Sequence, residues 1–113
     1  MKMSINSMNM GGSELNGVQF LFDNGWVLSI IVGRGAYCDT RYSTASELTQ
    51  TCEISVWNHT QSPPNMIRLE EEDTVIGHFP VSQLSQLMKE MSPPSITAAD
   101  ISNSVRKLLK EPF

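Results

Sequence analysis

Two apolar segments separated by a short polar turn dominate the first third of the chain. Residues 18 to 22 and residues 26 to 32 are almost wholly apolar, and the dipeptide Asn24-Gly25 lies between them. Glycine adopts positive φ without steric cost and asparagine tolerates it. The dipeptide therefore favours a type I′ turn, whose twist matches that of paired strands. The pattern predicts a β-hairpin with a two-residue loop.

A two-residue loop also determines which residues face each other across the hairpin. It places Phe22 opposite Val27 and Phe20 opposite Ser29. Both faces of the hairpin are then largely apolar, and an apolar sheet face needs a cover. Helices of this chain can cover one face. A second layer, the N-terminal residues or another subunit must cover the other, and we therefore expect a homo-oligomer.

The other predicted strands have shorter patterns. Residues 51 to 57 alternate, with Ile54 on one face and Trp57 on the other, and they predict a third strand. Residues 74 to 79 predict the last strand, and residues 66 to 69 are a further short-strand candidate.

After Pro80 the apolar residues recur at helical spacing. They are Leu84, Leu87, Met88 and Met91. Proline suits the entry of a helix because its φ is already fixed near the helical value. A second helix is predicted to begin near Thr97, because Asp100 three positions later completes a capping box. Pro93 and Pro94 separate the two helices.

This order of elements indicates an α+β fold, an antiparallel β-meander of four to five strands followed by two C-terminal helices. Residues 1 to 16 have no clean period of 2 or 3.6, so we interpret them as a flexible N-terminal arm. Residues 17 to 113 form a single α+β domain, since a chain of 113 residues has the usual size of one domain.

The charge pattern narrows the choice of partners and compartment. The formal net charge is −4, and most basic residues are scattered singly, so we expect no duplex nucleic acid as a partner. Residues 26 to 32 are the longest apolar run, far short of the roughly 20 residues that span a bilayer. The start also lacks the apolar region of a signal peptide. We therefore expect a cytoplasmic protein, with Cys38 and Cys52 as reduced thiols.

The loop from Gly33 to Asp39 is the first candidate binding site. Glycine on each side of Arg34 lets the backbone approach a ligand closely. Arg34 offers a cation, Tyr37 offers a stacking surface, and Arg41 adds a second cation beyond the loop. A small anionic ligand such as a nucleotide fits these groups. A second interpretation stays open, in which the loop is only a strand end with a bulge, Tyr37 packs and Arg34 is solvated.

Trp57 and Asn58 are the second candidate, at the end of a predicted strand. A large aromatic side chain there suits an interface or a stacked base, and an ordinary core tryptophan is the alternative. The cysteines and histidines are scattered rather than closely paired as in zinc sites, so we expect no metal and no cofactor. The chain has no nucleophile elbow, phosphate loop or paired-histidine motif, and we therefore do not expect an enzyme.

Four short motifs carry a resemblance to known proteins. They are Asn24-Gly25-Trp26, Gly33-x-Gly35-x-Tyr37-Cys38, Val56-Trp57 and Gly77-His78-Phe79. Over residues 17 to 91 the chain resembles small accessory proteins of unknown function encoded by tailed bacteriophages. A sheet followed by two helices is also similar to the layout of phage Thoeris anti-defence sponge proteins. That resemblance implies an oligomer that sequesters cyclic ADP-ribose-type nucleotides; it carries over no ligand-contact residue to this chain.

Residues and resemblance together predict a non-enzymatic, homo-oligomeric binding protein, a viral counter-defence factor that captures a small cyclic-nucleotide-type signal. In this hypothesis adenine stacks on Tyr37 or Trp57, while the phosphates pair with Arg34 and Arg41. Two alternatives remain open. One is a protein inhibitor of a host defence enzyme that docks through the acidic residues 70 to 73. The other is a small enzyme that degrades a nucleotide signal.

Overall fold

The computed structural model describes residues 1 to 10, 13 to 39, 48 to 61 and 65 to 110. Five strands and two α-helices follow in chain order: β1 (Lys2–Met10), β2 (Ser13–Leu21), β3 (Trp26–Arg34), β4 (Thr51–Asn58), β5 (Val75–Pro80), α1 (Leu84–Met91) and α2 (Ala98–Lys110). The strands pair with their sequence neighbours in one antiparallel sheet. The predicted α+β meander with two C-terminal helices is confirmed.

The N-terminal residues form a strand rather than the predicted arm. β1 pairs with β2 without a register shift, from Lys2 opposite Leu21 to Met10 opposite Ser13. Polar and apolar residues alternate over residues 2 to 6 and again over residues 7 to 10, but the phase changes between Asn6 and Ser7, so the sequence shows no continuous strand period. β1 is a strand because its backbone forms hydrogen bonds with β2. The local sequence pattern does not reveal this pairing.

The predicted hairpin is present, but its loop has three residues instead of two. The Phe22 N–H donates to the Trp26 carbonyl at 2.8 Å, and the Gly25 N–H donates to the Phe22 carbonyl at 3.0 Å. Gly25 has a φ of 95°, whereas Asn24 is not among the residues with positive φ. The type I′ prediction is therefore wrong. A type I turn followed by a left-handed glycine gives the strands the same favourable twist.

The longer loop shifts the pairing by one residue. Leu21, not Phe22, lies opposite Val27, and Phe20 lies opposite Leu28 instead of Ser29. The faces of the sheet change accordingly, because neighbouring side chains alternate between them. One face is apolar: Leu28, Ile30, Ile54 and Val56 belong to the buried core, and Val18 and Phe20 are partly buried and pack against it. The other face is mixed, which corrects the expectation of two apolar faces.

The two helices cover the apolar face. Leu87, Met91, Ile101, Val105 and Leu108 are completely buried and join the strand side chains in one core. The predicted capping box is confirmed, because the Asp100 N–H donates to Thr97 Oγ1 at 3.2 Å and the Thr97 N–H donates to Asp100 Oδ2 at 3.1 Å.

A polar contact on the outside joins α1 to α2. Glu90 Oε1 accepts hydrogen bonds from Lys107 Nζ and Ser104 Oγ, both at 2.8 Å. The hydrogen bond from Lys107 is the main cause that lowers the pKa of Glu90. Glu90 on α1 thus connects to two residues of α2 through hydrogen bonds.

The hairpin loop is attached to the connection between the helices. Asn24 Nδ2 donates to the carbonyl oxygens of Met91 at 2.7 Å and Pro93 at 3.0 Å. Trp26 Nε1 donates to the Ile96 carbonyl at 3.2 Å. The loop therefore satisfies the C-terminal carbonyl of α1 and positions the helices on the sheet.

Candidate functional site

The face of the sheet opposite the helices, which we call the open face, carries its side chains in cross-strand rows. One row contains Lys2, Leu21, Val27 and Trp57. The next row contains Ser4, Gln19, Ser29 and Ser55. A cation, two aliphatic side chains and an indole thus lie beside a wholly polar row. Such a combination can contact both the apolar and the polar parts of one ligand.

A pocket of about 440 Å³ opens on this face at the end nearest the hairpin loop. Its lining residues are Lys2, Met3, Ser4, Gln19, Leu21, Val27, Trp57 and His59. The volume lies within the range of sites that bind small molecules. The described lining offers an ammonium, an imidazole, an amide and a hydroxyl, and no carboxylate is among these residues. Its electrostatic preference is therefore for an anionic ligand.

Two buried hydroxyl groups lie in the polar row next to this pocket. Ser29 is 5% exposed and Ser55 is 8% exposed. Neither hydroxyl forms a hydrogen bond with the described part of the chain, although burying an unpaired hydroxyl costs about 1–3 kcal/mol. Such groups are uncommon in native proteins and call for a partner such as water or a ligand.

The loop of the first candidate site is a compact turn at the other end of the open face. Gly33 and Gly35 have φ angles of 108° and 98°, and the Ala36 N–H donates to the Gly33 carbonyl at 3.1 Å. Ala36 and Cys38 are both buried. The turn itself thus accounts for the two glycines, because other residues rarely adopt these angles.

Tyr37 fixes this loop against a bulge between β4 and β5. The Tyr37 N–H donates to a carboxylate oxygen of Glu53 at 3.2 Å, and the Tyr37 carbonyl accepts the His78 N–H at 2.8 Å. Its side chain lies over Gly77, where an added Cβ would come within 2.6 Å of the Tyr37 Cβ. The nearby carboxylate of Glu53 makes this end of the face less favourable for an anion than the pocket.

The predicted site residues do not form one cluster. Trp57 lines the pocket and pairs with Val27, while Arg34 lies seven positions further along β3, about 23 Å away at the rise of a strand. Asn58 is one position from Trp57 and so belongs to the opposite face. Its Oδ1 accepts hydrogen bonds from the backbone and side chain of Thr60. Arg41 lies outside the described residues.

Sequence reasoning missed most of the pocket. Lys2, Ser4, Gln19 and His59 line it but were not predicted as site residues. The only available signal was the polar–apolar alternation of residues 2 to 5, which predicts a strand. Without the pairing between β1 and β2, nothing places Lys2 in the same cross-strand row as Trp57.

A carboxylate fastens the loop to the start of β4. Asp39 accepts hydrogen bonds from the Thr49 hydroxyl, from the Gln50 N–H at 3.0 Å and from the Thr51 hydroxyl at 3.2 Å. These bonds, that from Thr49 above all, lower the pKa of Asp39 from 3.8 to about 2.

This low pKa predicts a dependence of stability on pH. Because the folded pKa lies below the unfolded one, the contribution of Asp39 is complete above about pH 4 and is lost as the pH falls through about 2. We expect Asp39→Asn to unfold at lower urea concentration than the wild type at neutral pH. The difference should shrink between about pH 4 and pH 2. Asp73→Asn is the matched control, since its carboxylate makes no hydrogen bond within the described ranges. A constant difference across that interval contradicts the assignment.

Metal and thiol chemistry find little support in the described residues. No three side chains of His, Cys, Asp or Glu lie close enough there to hold a metal ion. Cys38 and Cys52 are both buried, and burial raises the pKa of the Cys52 thiol to about 12. A thiol with such a pKa is a poor nucleophile at neutral pH.

No described helix is both long and apolar enough to cross a membrane. No protein family, curated protein or solved structure matches this chain.

Proposed function

We propose that this protein is a non-enzymatic binding protein that holds a small anionic ligand of the nucleotide type in the open-face pocket. The observation that carries the proposal is the pocket of about 440 Å³, which is lined by the Trp57 indole and the Lys2 ammonium and has no carboxylate among its described lining residues. A nucleotide needs both groups, a flat face for its base and a cation for its phosphate.

The contacts follow from the order of the lining residues. The base stacks on Trp57, a contact that contributes about 1–3 kcal/mol in comparable sites. Lys2 on β1 and His59 just after β4 line the pocket from its two sides and are the groups that receive phosphate. Gln19 and Ser4 provide an amide and a hydroxyl for the ribose or the base edge. The row of small serines behind them leaves room beside the indole.

The biological role is the capture of a cyclic-nucleotide-type signal, as in viral counter-defence. This part of the proposal comes from the resemblance to phage proteins, and it determines which ligands are worth testing. Capture without turnover agrees with the described residues, since the pocket lining holds no cysteine and no carboxylate to serve as a nucleophile or base.

Titration calorimetry tests the proposal with 3′,5′-cyclic AMP, 3′,5′-cyclic GMP, cyclic di-AMP and cyclic ADP-ribose. We expect at least one of them to bind, and we expect Trp57→Ala to weaken that binding by about tenfold or more, which corresponds to the loss of base stacking. Lys2→Ala should also weaken the binding. Its effect on the dissociation constant should be larger at low salt than at high salt, because salt screens the attraction between the ammonium and the phosphate.

Tyr37→Ala is the matched control, because it removes an exposed aromatic side chain at the other end of the same face. It should leave the affinity unchanged. The proposal is contradicted if no nucleotide of the panel gives heat, or if Tyr37→Ala abolishes binding and Trp57→Ala does not. Chromatography of the ligand after incubation provides a further check: product in excess of the protein shows turnover and contradicts capture.

A further inference from the structure

The two edges of the sheet are built differently. β5 is six residues long, contains an irregularity opposite Cys52 to Ile54 and ends in Pro80. Its His78 N–H is already used by the Tyr37 carbonyl. Bulges, proline and short length are the features with which natural proteins protect an edge strand from pairing with another chain.

β1 has none of these protections. It is a nine-residue strand without proline, with no register shift against β2, and its only charged residue is Lys2. It pairs with no other described strand on its outer side. Such an edge presents backbone N–H and C=O groups as a template for a further strand.

The side chains of β1 add an apolar contact to this template. The register with β2 places Met3 and Ile5 on the helix-facing side of the sheet, opposite Phe20 and Val18, and they are 59% and 75% exposed. Because β1 is an edge strand, Met3 also borders the open-face pocket. An apolar groove lined by Ile5, Val18 and Val32 continues from Met3 and Ile5 across β2 and β3. Exposed apolar side chains beside an unpaired edge favour association through that edge.

We infer that a second copy of this chain pairs antiparallel with β1 about a twofold axis at Ser4. This register places Met3 opposite Ile5 of the second copy, and Ile5 opposite Met3 of the second copy. All four apolar side chains then lie on the same face of the joined sheet. Axes at residue 5 or 6 do not pair these two residues with each other. On the open face the two Lys2 residues lie four positions apart along the strands, about 13 Å, so their charges do not clash.

The pairing does not depend on the proposed ligand, but it has a consequence for the pocket. Lys2 and Ser4 line the pocket and lie on the paired strand. A twofold axis perpendicular to the sheet keeps both open faces on the same side. The dimer therefore presents two pockets next to each other across the new junction.

The first test is the mass in solution, measured by analytical ultracentrifugation of the whole chain without added nucleotide. We expect a species of twice the 12.6 kDa of one chain. Ile5→Lys should raise the dissociation constant of the dimer by about tenfold or more, because it places like charges on neighbouring positions of the junction. Val75→Lys is the matched control on the protected edge, where the side chain is 36% exposed, and it should leave the mass unchanged.

Cross-linking tests the register without a destabilising change. Under the axis at Ser4 the two Ser4→Cys positions lie directly opposite, with Cα atoms about 4.5–5.5 Å apart, which suits a disulfide. The Lys2→Cys positions are too far apart. The native Cys38 and Cys52 are buried and do not interfere. Oxidation should yield a covalent dimer only with Ser4→Cys. A monomer at all concentrations, or equal cross-linking of both variants, overturns the inference.

Discussion

Asn24→Ala is expected to destabilise the protein by about 2–3 kcal/mol. The change removes two donated hydrogen bonds, to the carbonyls of Met91 and Pro93, and the bond that Asn24 Oδ1 accepts from the Trp26 N–H at 3.2 Å. It leaves the last carbonyl of α1 without a partner in a half-buried place. Chemical unfolding followed by circular dichroism measures the decrease in the free energy of unfolding. In thermal unfolding we expect the melting temperature to fall by roughly 10 °C.

Two further variants separate this explanation from a general effect of alanine. Asn24→Asp keeps the oxygen that accepts the Trp26 N–H but removes the donor, and should therefore lose most of the same stability. Asn65→Ala changes an exposed asparagine that makes no hydrogen bond with the described residues, and should be neutral. An Asn24→Asp protein as stable as the wild type contradicts the role of the donated bonds.

Gly77→Ala should cost about 2–3 kcal/mol for a steric reason. The added Cβ would lie 2.6 Å from the Tyr37 Cβ and 3.1 Å from the Tyr37 carbonyl oxygen. Neither atom is the free end of a flexible side chain, so the loop itself must move. We expect this movement to break the hydrogen bond between the His78 N–H and the Tyr37 carbonyl. Urea unfolding measures the cost, and amide exchange at His78 reports the broken bond.

Gly17→Ala is the matched control, since its added Cβ would make only ordinary contacts of 3.5 and 3.6 Å. We expect a change below about 1 kcal/mol there, in keeping with a strand glycine. The double variant Tyr37→Gly with Gly77→Ala tests the contact itself. It should show a favourable coupling between the two changes, because the clashing Cβ is gone. Simple additivity contradicts the steric explanation.

The fold class could be predicted because the strong patterns are local. The apolar periods of residues 84 to 91 and the capping box at Thr97 specify the helices, and both are confirmed. The register of the hairpin could not be predicted. An Asp-Asn-Gly sequence suits a loop of two or three residues equally well. In the structure the three-residue loop accompanies a tertiary contact, the hydrogen bond of the Asn24 side chain to the Met91 carbonyl 67 positions away, which no local pattern reveals.

The site could be predicted only in part, because it is assembled across strands. Trp57 was identified from its position at a strand end, and it lines the pocket. Lys2 lies on β1 and Gln19 lies on β2, and both reach the pocket only through the pairing of these strands with the rest of the sheet. No local sequence pattern encodes this pairing. The glycines around Arg34 suggest a binding loop in the sequence. In the structure the tight turn explains Gly33 and Gly35, and the contact with Gly77 explains the position of Tyr37.

If the ligand lies against Trp57, its binding should change the surroundings of that indole. The other tryptophan, Trp26, provides an internal control. Only two tryptophans are present, and the indole N–H of Trp26 is fixed in the core by the Ile96 carbonyl. In a ¹H–¹⁵N spectrum, adding cyclic ADP-ribose, or whichever nucleotide of the panel binds best, should shift the indole signal of Trp57 and leave that of Trp26 in place. An unchanged Trp57 signal, with shifts at the amides of Tyr37 and His78 instead, contradicts the account.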